Sequence, residues 1–80
     1  MQTIFVMVKC ELGRTYDVAD AAVQQIQEVS EVHSISGQYD LLMKFYLDDA
    51  ADLGRFINTK VQTLSGVKDT VIIIAYKAFT

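Results

Sequence analysis

The residue types best suited to hold a small ligand lie together at positions 36–40, which read Ser-Gly-Gln-Tyr-Asp. Gly37 lets the backbone take a positive φ angle and lets another group approach closely. Backbone N–H groups at such a turn can hold a carboxylate, and Asp40 can hold an ammonium group. An amino acid carries both groups. Gly-x-Tyr-Asp is also an ordinary turn sequence, so spacing alone leaves the binding and the structural interpretations open.

Two strands are predicted to carry this turn. Residues 31–36 are predicted to form a short strand that carries Val32 and Ile35. In residues 40–47, Leu41, Met43, Phe45 and Leu47 alternate with Leu42, Lys44 and Tyr46. Because only a few residues separate the two segments, they should pair as a hairpin with the turn at its tip.

The N-terminal part of the chain predicts a strand followed by a helix. Residues 3–12 alternate, and one face carries Ile4, Val6, Val8, Cys10 and Leu12. Alternation with β-branched residues is typical of a strand. Asp17 is expected to cap a helix that ends near Ser30, with an apolar stripe of Val18, Ala22, Ile26 and Val29.

The C-terminal part of the chain predicts a helix followed by a strand. Asp48 and Asp49 favour a helix start, because acidic residues stabilise the positive end of the helix dipole. After them, apolar residues recur every three or four positions, as on one face of a helix: Leu53, Phe56, Ile57, Val61 and Leu64. Gly66 is expected to end the helix, and residues 67–79 form the last strand. The whole 80-residue chain is then one α+β, ferredoxin-like βαββαβ domain, whose antiparallel four-stranded sheet carries both helices on one face.

The apolar content exceeds what one layer of helices on a sheet can cover. Apolar residues make up 51% of the chain, which contains no proline. Phe5, Met7, Leu42, Tyr46 and the run at 71–74 fall on both sides of the predicted sheet. An exposed apolar patch of this kind marks an interface. We therefore expect a homodimer, formed sheet to sheet or edge to edge, as the smallest assembly.

Charge and hydropathy argue against other classes of protein. The net charge is −3 and the basic residues are scattered, so the basic patch typical of direct nucleic-acid binding is missing. The run from Val71 to Tyr76 is far shorter than the about 20 apolar residues of a membrane span. Cys10 is the single cysteine and has no partner for an internal disulfide. We expect a reduced, cytoplasmic location without membrane association.

Other reactive residues favour structural roles, with one alternative kept open. His33, the only histidine, is a conceivable general base, but no acid or second histidine is adjacent to it in sequence. A small dimeric αβ-barrel enzyme using His33 and Tyr46 is the rival hypothesis. Cys10 is expected to be a buried hydrophobic residue. No spacing indicates a metal site, no glycine-rich loop indicates phosphate binding, and no cofactor is expected.

Several motifs in order resemble a known family. Residues 32–44, then Leu53, Phe56, Leu64-Ser65-Gly66-Val67 and Thr70, are similar to the C-terminal effector domain of the Lrp/AsnC family of feast-or-famine regulators. That domain is called RAM, for regulation of amino-acid metabolism. The resemblance covers nearly the whole chain, and the order and spacing of the motifs are more specific than any one of them.

The resemblance implies a non-enzymatic, amino-acid-sensing module. In the family, RAM domains pair into dimers that commonly assemble into rings, and a small effector binds between dimers. By this likeness the site includes Ser36, Gly37, Gln38, Tyr39 and Asp40. The family often has Thr-x-Thr after Gly-Val. Here Thr70 supplies the first threonine, but Ile72 stands in place of the second and makes that wall more apolar.

The resemblance also bears on domain organisation. Full-length family members carry an N-terminal helix-turn-helix domain, whereas this sequence starts at the first predicted strand and resembles the stand-alone RAM proteins. Such a chain is expected to bind an effector without reading DNA itself, or to associate with full-length relatives. A purely structural adaptor that caps the rings of longer relatives, or mixes with them, is therefore a third hypothesis.

Overall fold

Alternating apolar residues in four strands build one antiparallel sheet with the strand order β2-β3-β1-β4. The computed structural model describes all 80 residues. Its elements are β1 (Gln2–Cys10), α1 (Thr15–Gln25), β2 (Val29–Ser34), β3 (Leu41–Leu47), α2 (Leu53–Phe56), a π-helical segment (Ile57–Val61) and β4 (Val67–Ala75). This is the predicted ferredoxin-like βαββαβ arrangement, which is confirmed.

The core lies between the sheet and the helices. The strands contribute Ile4, Val6, Val8, Cys10, Leu41, Met43, Phe45 and Leu47, and the helical side contributes Val18, Ala22, Ile26, Phe56, Ile57, Val61 and Leu64. The Phe45 and Phe56 rings meet edge to face with centroids 5.2 Å apart. All these residues were predicted from alternation or helical spacing. Leu12, predicted on the same face, is fully exposed because β1 ends at Cys10.

The boundaries of α1 differ from the prediction. The helix starts at Thr15, so Asp17 lies in its first turn, where its carboxylate contacts Arg14 rather than capping the helix. It ends at Gln25 instead of near Ser30, because Ile26 is extended and Val29 already pairs with Phe45 in the sheet. No glycine marks this end in the sequence, so strand pairing decides where the helix stops.

The second helical element starts later than predicted and changes type. Asp48 accepts a hydrogen bond from the Ala50 N–H in a turn, and Asp52 is the true N-cap, bonded to the Arg55 N–H at 3.1 Å. The π-helical segment ends at Val61, so Gly66 does not terminate the helix as predicted.

The prediction that β4 reaches Phe79 is also wrong: its ladder ends where Ala75 pairs with Thr3, near the start of β1. No helix in the structure is long and apolar enough to cross a membrane.

The sheet face away from the helices is open and apolar. Cross-strand pairs place Phe5 opposite Ile73 and Met7 between Leu42 and Val71 on this face. Ile73 is 43% exposed. On the helix side, Ile72 and Ile74 of the edge strand β4 also remain exposed. We call the surface formed by Phe5, Met7, Leu42, Val71 and Ile73 the open face.

Candidate functional site

A β-bulge shapes the end of the sheet nearest the residue 36–40 loop. Lys9 pairs with Asp69, but Cys10 pairs with Val67, which leaves Lys68 without a partner on β1. A bulge of this kind bends the strand and re-aims a side chain, and bulges are common beside functional sites. Here the re-aimed side chain is the ammonium-bearing Lys68, which makes no ion pair within the chain.

Asp40 ties the loop to this bulge. Its Oδ2 accepts a hydrogen bond from the Cys10 N–H at 2.8 Å, and its own N–H donates to the Val8 carbonyl at 2.9 Å. The Ile35 N–H donates to the Asp40 carbonyl, also at 2.9 Å, and closes the base of the loop. At the tip, Gly37 has a φ of 107° and needs glycine's conformational freedom. One Asp40 oxygen is thus engaged by backbone, which leaves Oδ1 for other contacts.

Removing the Asp40 carboxylate is expected to destabilise the fold as well as alter the loop. Asp40→Ala leaves the half-buried Cys10 N–H unpaired, so the free energy of unfolding should fall by about 1–3 kcal/mol. Asp40→Asn keeps an acceptor oxygen and should retain most of that stability. Urea unfolding of both variants measures the difference, and equal losses would contradict a structural role for this hydrogen bond.

The tip of the loop and β4 form the two sides of a groove. Lys9, Gln38, Tyr39, Lys68 and Asp69 line it, and its volume is about 310 Å³. The Lys9 Nζ donates to the Gln38 carbonyl at 2.8 Å and holds the loop against β1. The groove therefore offers a free ammonium group, Lys68, close to a carboxylate, Asp69. These are the two charges that complement a zwitterion.

Thr70 and Ile72 lie on the other side of β4 from this groove. Thr70 pairs with Val8 and Ile72 with Val6, and both β1 residues are buried under the helices. Thr70 borders a second, smaller groove with Lys68 and Asp69, whereas Ile72 lines neither groove. The structure thus brings Gln38, Tyr39 and Asp40 to the end of the sheet where Thr70 lies, with exposed Ser36 and Gly37 in the same loop.

Three charged groups of the groove were not selected from the sequence. Lys9, Lys68 and Asp69 are scattered in strand segments, where an isolated charge predicts only a solvated position. Strand pairing places Lys9 and Asp69 opposite each other, and the bulge leaves Lys68 beside them without a partner on β1. The sequence signal was weak: a charged pair directly after Gly66-Val67, in an otherwise apolar strand.

His33 and Tyr46, suspected in the enzyme hypothesis, lie apart on the sheet. His33 pairs with Leu42 and Tyr46 pairs with Thr3, and the four residue steps from Leu42 to Tyr46 along β3 span about 13 Å. No acid is directly adjacent to His33 in sequence, but the structure brings Glu31, two residues earlier, beside it on the same face of β2. Its Oε1 lies 2.9 Å from the His33 Nε2.

Glu31 also forms an ion pair with Lys44, and its contacts with His33 and Lys44 both lower its pKa. The hydrogen bond with His33 and the Lys44 charge hold the pKa of Glu31 below its ordinary 4.5. The neighbouring Tyr46 and Glu31 raise the pKa of Lys44 above 10.5. The Lys44 Nζ lies 5.0 Å from the centre of the Tyr46 ring. Both shifts favour the charged forms of Glu31 and Lys44, which lie beside the open face.

Cys10 has the properties of a buried hydrophobic residue. Its side chain is 4% exposed, and burial together with the Asp40 charge raises the pKa of its thiol above 9.0. Since the thiolate is the nucleophilic form, this cysteine is poorly suited to covalent chemistry at neutral pH.

Comparison with known sequences identifies the family. The family profile described as the Lrp/AsnC ligand binding domain matches residues 3–80. The leucine-responsive regulatory protein of Haemophilus influenzae is 32% identical over 71 residues, which cover 84% of this chain and 43% of that protein. An HTH-type transcriptional regulator of Pyrococcus horikoshii is 29% identical over 76 residues, covering 92% of this chain and 51% of the relative. The chain spans about half the length of these curated relatives.

Solved structures agree in fold. TTHA0845 from Thermus thermophilus superposes with a TM-score of 0.88 at 29% identity, over 100% of this chain and 99% of that one. FFRP-DM1 superposes with a TM-score of 0.87 at 29% identity, over 95% of this chain and 100% of that one. The regulator NMB0573 of Neisseria meningitidis was solved as a complex with L-Met. It superposes with a TM-score of 0.84 at 19% identity, over 99% of this chain and 52% of that one. With a family profile that covers nearly every residue, the chain belongs to the Lrp/AsnC ligand-binding domain family of transcription regulators.

Proposed function

We propose that this domain senses a small effector, an α-amino acid, which binds where the residue 36–40 loop meets the start of β4. The observation that carries the proposal is the groove of about 310 Å³, in which Lys68 and Asp69 present opposite charges beside Gln38 and Tyr39. The Lys68 ammonium would hold the effector carboxylate. The Asp69 carboxylate, with the remaining Asp40 oxygen, would hold its ammonium group.

We further propose that the effector lies between dimers and that its binding selects one assembly. The open face is apolar enough to pair with the same face of a second copy, and such dimers would close into a ring. Ser36 and Gly37 would contribute from the exposed loop, and Thr70 and Ile72 from the helix side of β4. A ligand that binds one assembly better than another shifts their populations by that difference in affinity. Coupling of about 1–3 kcal/mol is enough to be useful.

Two relatives support an amino acid as the effector. One carries the name leucine-responsive regulatory protein, and another regulator of this fold was crystallised with L-Met. Association of this domain with longer, DNA-binding relatives is compatible with the same proposal, because such relatives contain a matching domain. The αβ-barrel enzyme hypothesis lacks comparable support, since His33 and Tyr46 do not converge.

Loss of the groove ammonium tests the proposal. Isothermal titration calorimetry with the proteinogenic amino acids, beginning with L-leucine and L-methionine, should identify a binding amino acid. Lys68→Ala should then weaken that affinity about 10- to 30-fold, because it removes one charge-assisted hydrogen bond.

Lys77→Ala is the matched control. It removes an exposed lysine beyond β4 that lies outside the groove, so it should leave the affinity unchanged. Equal affinities in the wild type and Lys68→Ala would remove Lys68 from the site. Absence of binding by every amino acid would contradict the proposed function.

A further inference from the structure

We infer that a further cavity, at the end of the sheet opposite the residue 36–40 loop, binds a small aromatic carboxylate at Lys44 and the aromatic rings beside it. Its volume is about 330 Å³, within the about 300–1,000 Å³ of small-molecule sites. Thr3 lines this cavity, whereas Lys9 of the same strand lines the groove proposed for the effector. The six residue steps between them span about 20 Å. The two sites are therefore distinct, and the inference does not depend on the proposed function.

Strand alternation gathers the side chains that line the cavity. Even-numbered residues of β1 and odd-numbered residues of β3 are buried under the helices, so their neighbours point to the other side of the sheet. There, cross-strand pairing places Phe5 opposite Lys44 and Thr3 opposite Tyr46. The chain that follows β4 supplies the remaining wall, chiefly Tyr76 and Lys77.

Three aromatic rings give the cavity surfaces for a planar ligand. They belong to Phe5, Tyr46 and Tyr76. Tyr46 is 38% exposed and Tyr76 is almost fully exposed, so both rings have free surface that a ligand can cover. Aromatic rings attract one another in offset and edge-to-face arrangements, in addition to the effect of burial. The cavity therefore favours an aromatic ligand over an aliphatic one of the same size.

The charges around the cavity select an anion. Lys44 and Lys77 line it, and none of its lining residues is acidic. The Lys44 Nζ lies 5.8 Å from the centre of the Phe5 ring and 5.0 Å from that of the Tyr46 ring. A carboxylate bound to Lys44 thus keeps its own ring against the aromatic surface. An α-amino acid would bring its ammonium group beside two lysines, so like-charge repulsion disfavours a zwitterion here.

Lys44 retains hydrogen-bond donors for such a ligand. Its Nζ lies 3.5 Å from the Glu31 Oε2, which is longer than the about 2.7–2.9 Å of a charge-assisted hydrogen bond. An ammonium group has three donors, and Glu31 also contacts His33. A ligand carboxylate can therefore bind Lys44 at shorter range, with Glu31 as its competitor.

Titration of the complete chain with 3-phenylpropanoate, followed by two-dimensional proton–nitrogen NMR, tests the inference. Saturable shifts are expected at the amides of Thr3 and Tyr46, with Lys68 unaffected. Lys44→Met keeps the aliphatic stem but removes the charge, so it should raise Kd about 10-fold. Lys60→Met is the matched control, because Lys60 also pairs with a glutamate and lies beside a phenylalanine ring, but on the helix side. It should leave Kd unchanged.

Two further titrations test the selection of an anion. L-phenylalanine adds an ammonium group to the same carbon skeleton, and its Kd read from the Tyr46 amide should be at least about 5-fold higher. Glu31→Gln removes the competing carboxylate and should tighten the binding of 3-phenylpropanoate about 2- to 5-fold. A lysine that only supports the fold would not produce this gain in affinity.

Several results would overturn the inference. They are the absence of saturable shifts at Thr3 and Tyr46, an unchanged Kd in Lys44→Met or in Glu31→Gln, and equal binding of L-phenylalanine in this cavity. Shifts confined to the residue 36–40 loop would overturn it as well. Each of these results leaves the proposed amino-acid site standing, because that site is the other groove. The NMR spectrum of each variant verifies that it is folded.

Discussion

Gly66→Ala is expected to lower the free energy of unfolding by about 3–5 kcal/mol, since backbone strain and overpacking add together. Gly66 has a φ of 98°, which side-chain-bearing residues rarely adopt. An added Cβ would lie 2.9 Å from the Val18 Cγ2 and 3.1 Å from the Arg14 Cβ. Because Val18 is fully buried in α1, it has little room to move. Glycine here lets the entrance to β4 touch the start of α1.

Gly37→Ala is the matched control, because both glycines have a positive φ angle but only Gly66 lies close to other side chains. Gly37 has a φ of 107°, and a Cβ there would meet no atom within 4 Å. The expected loss is about 1–2 kcal/mol from backbone strain alone. Urea unfolding followed by circular dichroism measures both variants. Equal losses would contradict the close approach of α1 to Gly66 as the source of the larger effect.

Ile73→Lys is expected to weaken the proposed dimer at least about 100-fold, as measured by its dissociation constant. Ile73 lies opposite Phe5 on the open face and is 43% exposed in the single chain. The monomer should therefore accept lysine without unfolding. In a symmetric dimer each substitution occurs twice, so two ammonium groups would lose water at an apolar interface.

Val23→Lys is the control for a general effect of added charge. Val23 is 61% exposed on α1, away from the open face. Sedimentation velocity over a dilution series should give the wild-type dimer constant for Val23→Lys and a monomer for Ile73→Lys. A wild-type constant for Ile73→Lys would show that the open face does not form the dimer.

The periodicity of the sequence predicted the sheet and its core because both depend on local alternation. Ile4, Val6 and Val8 on one face of β1, and Leu41, Met43 and Phe45 on β3, are buried as expected. The ends of the elements were less predictable, because pairing partners set them. The α1 helix stops so that Val29 can pair with Phe45, a long-range contact that no local signal encodes.

The site shows the same division between local and long-range information. The loop with Gly37 and Asp40 stands out in the sequence, because its residue types suit a turn. The bond from the Cys10 N–H to Asp40 joins residues 30 positions apart, and the bulge between β1 and β4 leaves Lys68 unpaired. The spacing of residues reveals neither feature. The π-helical segment was hidden in the same way, since Phe56, Ile57, Val61 and Leu64 also fit an ordinary α-helix.

Native mass spectrometry of the full chain, with and without a pool of free amino acids, tests effector sensing most directly. The expected result is a dimer that gains the mass of an amino acid and shifts into a discrete ring. A plain dimer whose mass and assembly are unchanged by every amino acid would contradict sensing, and would favour an adaptor or enzyme function for the same fold.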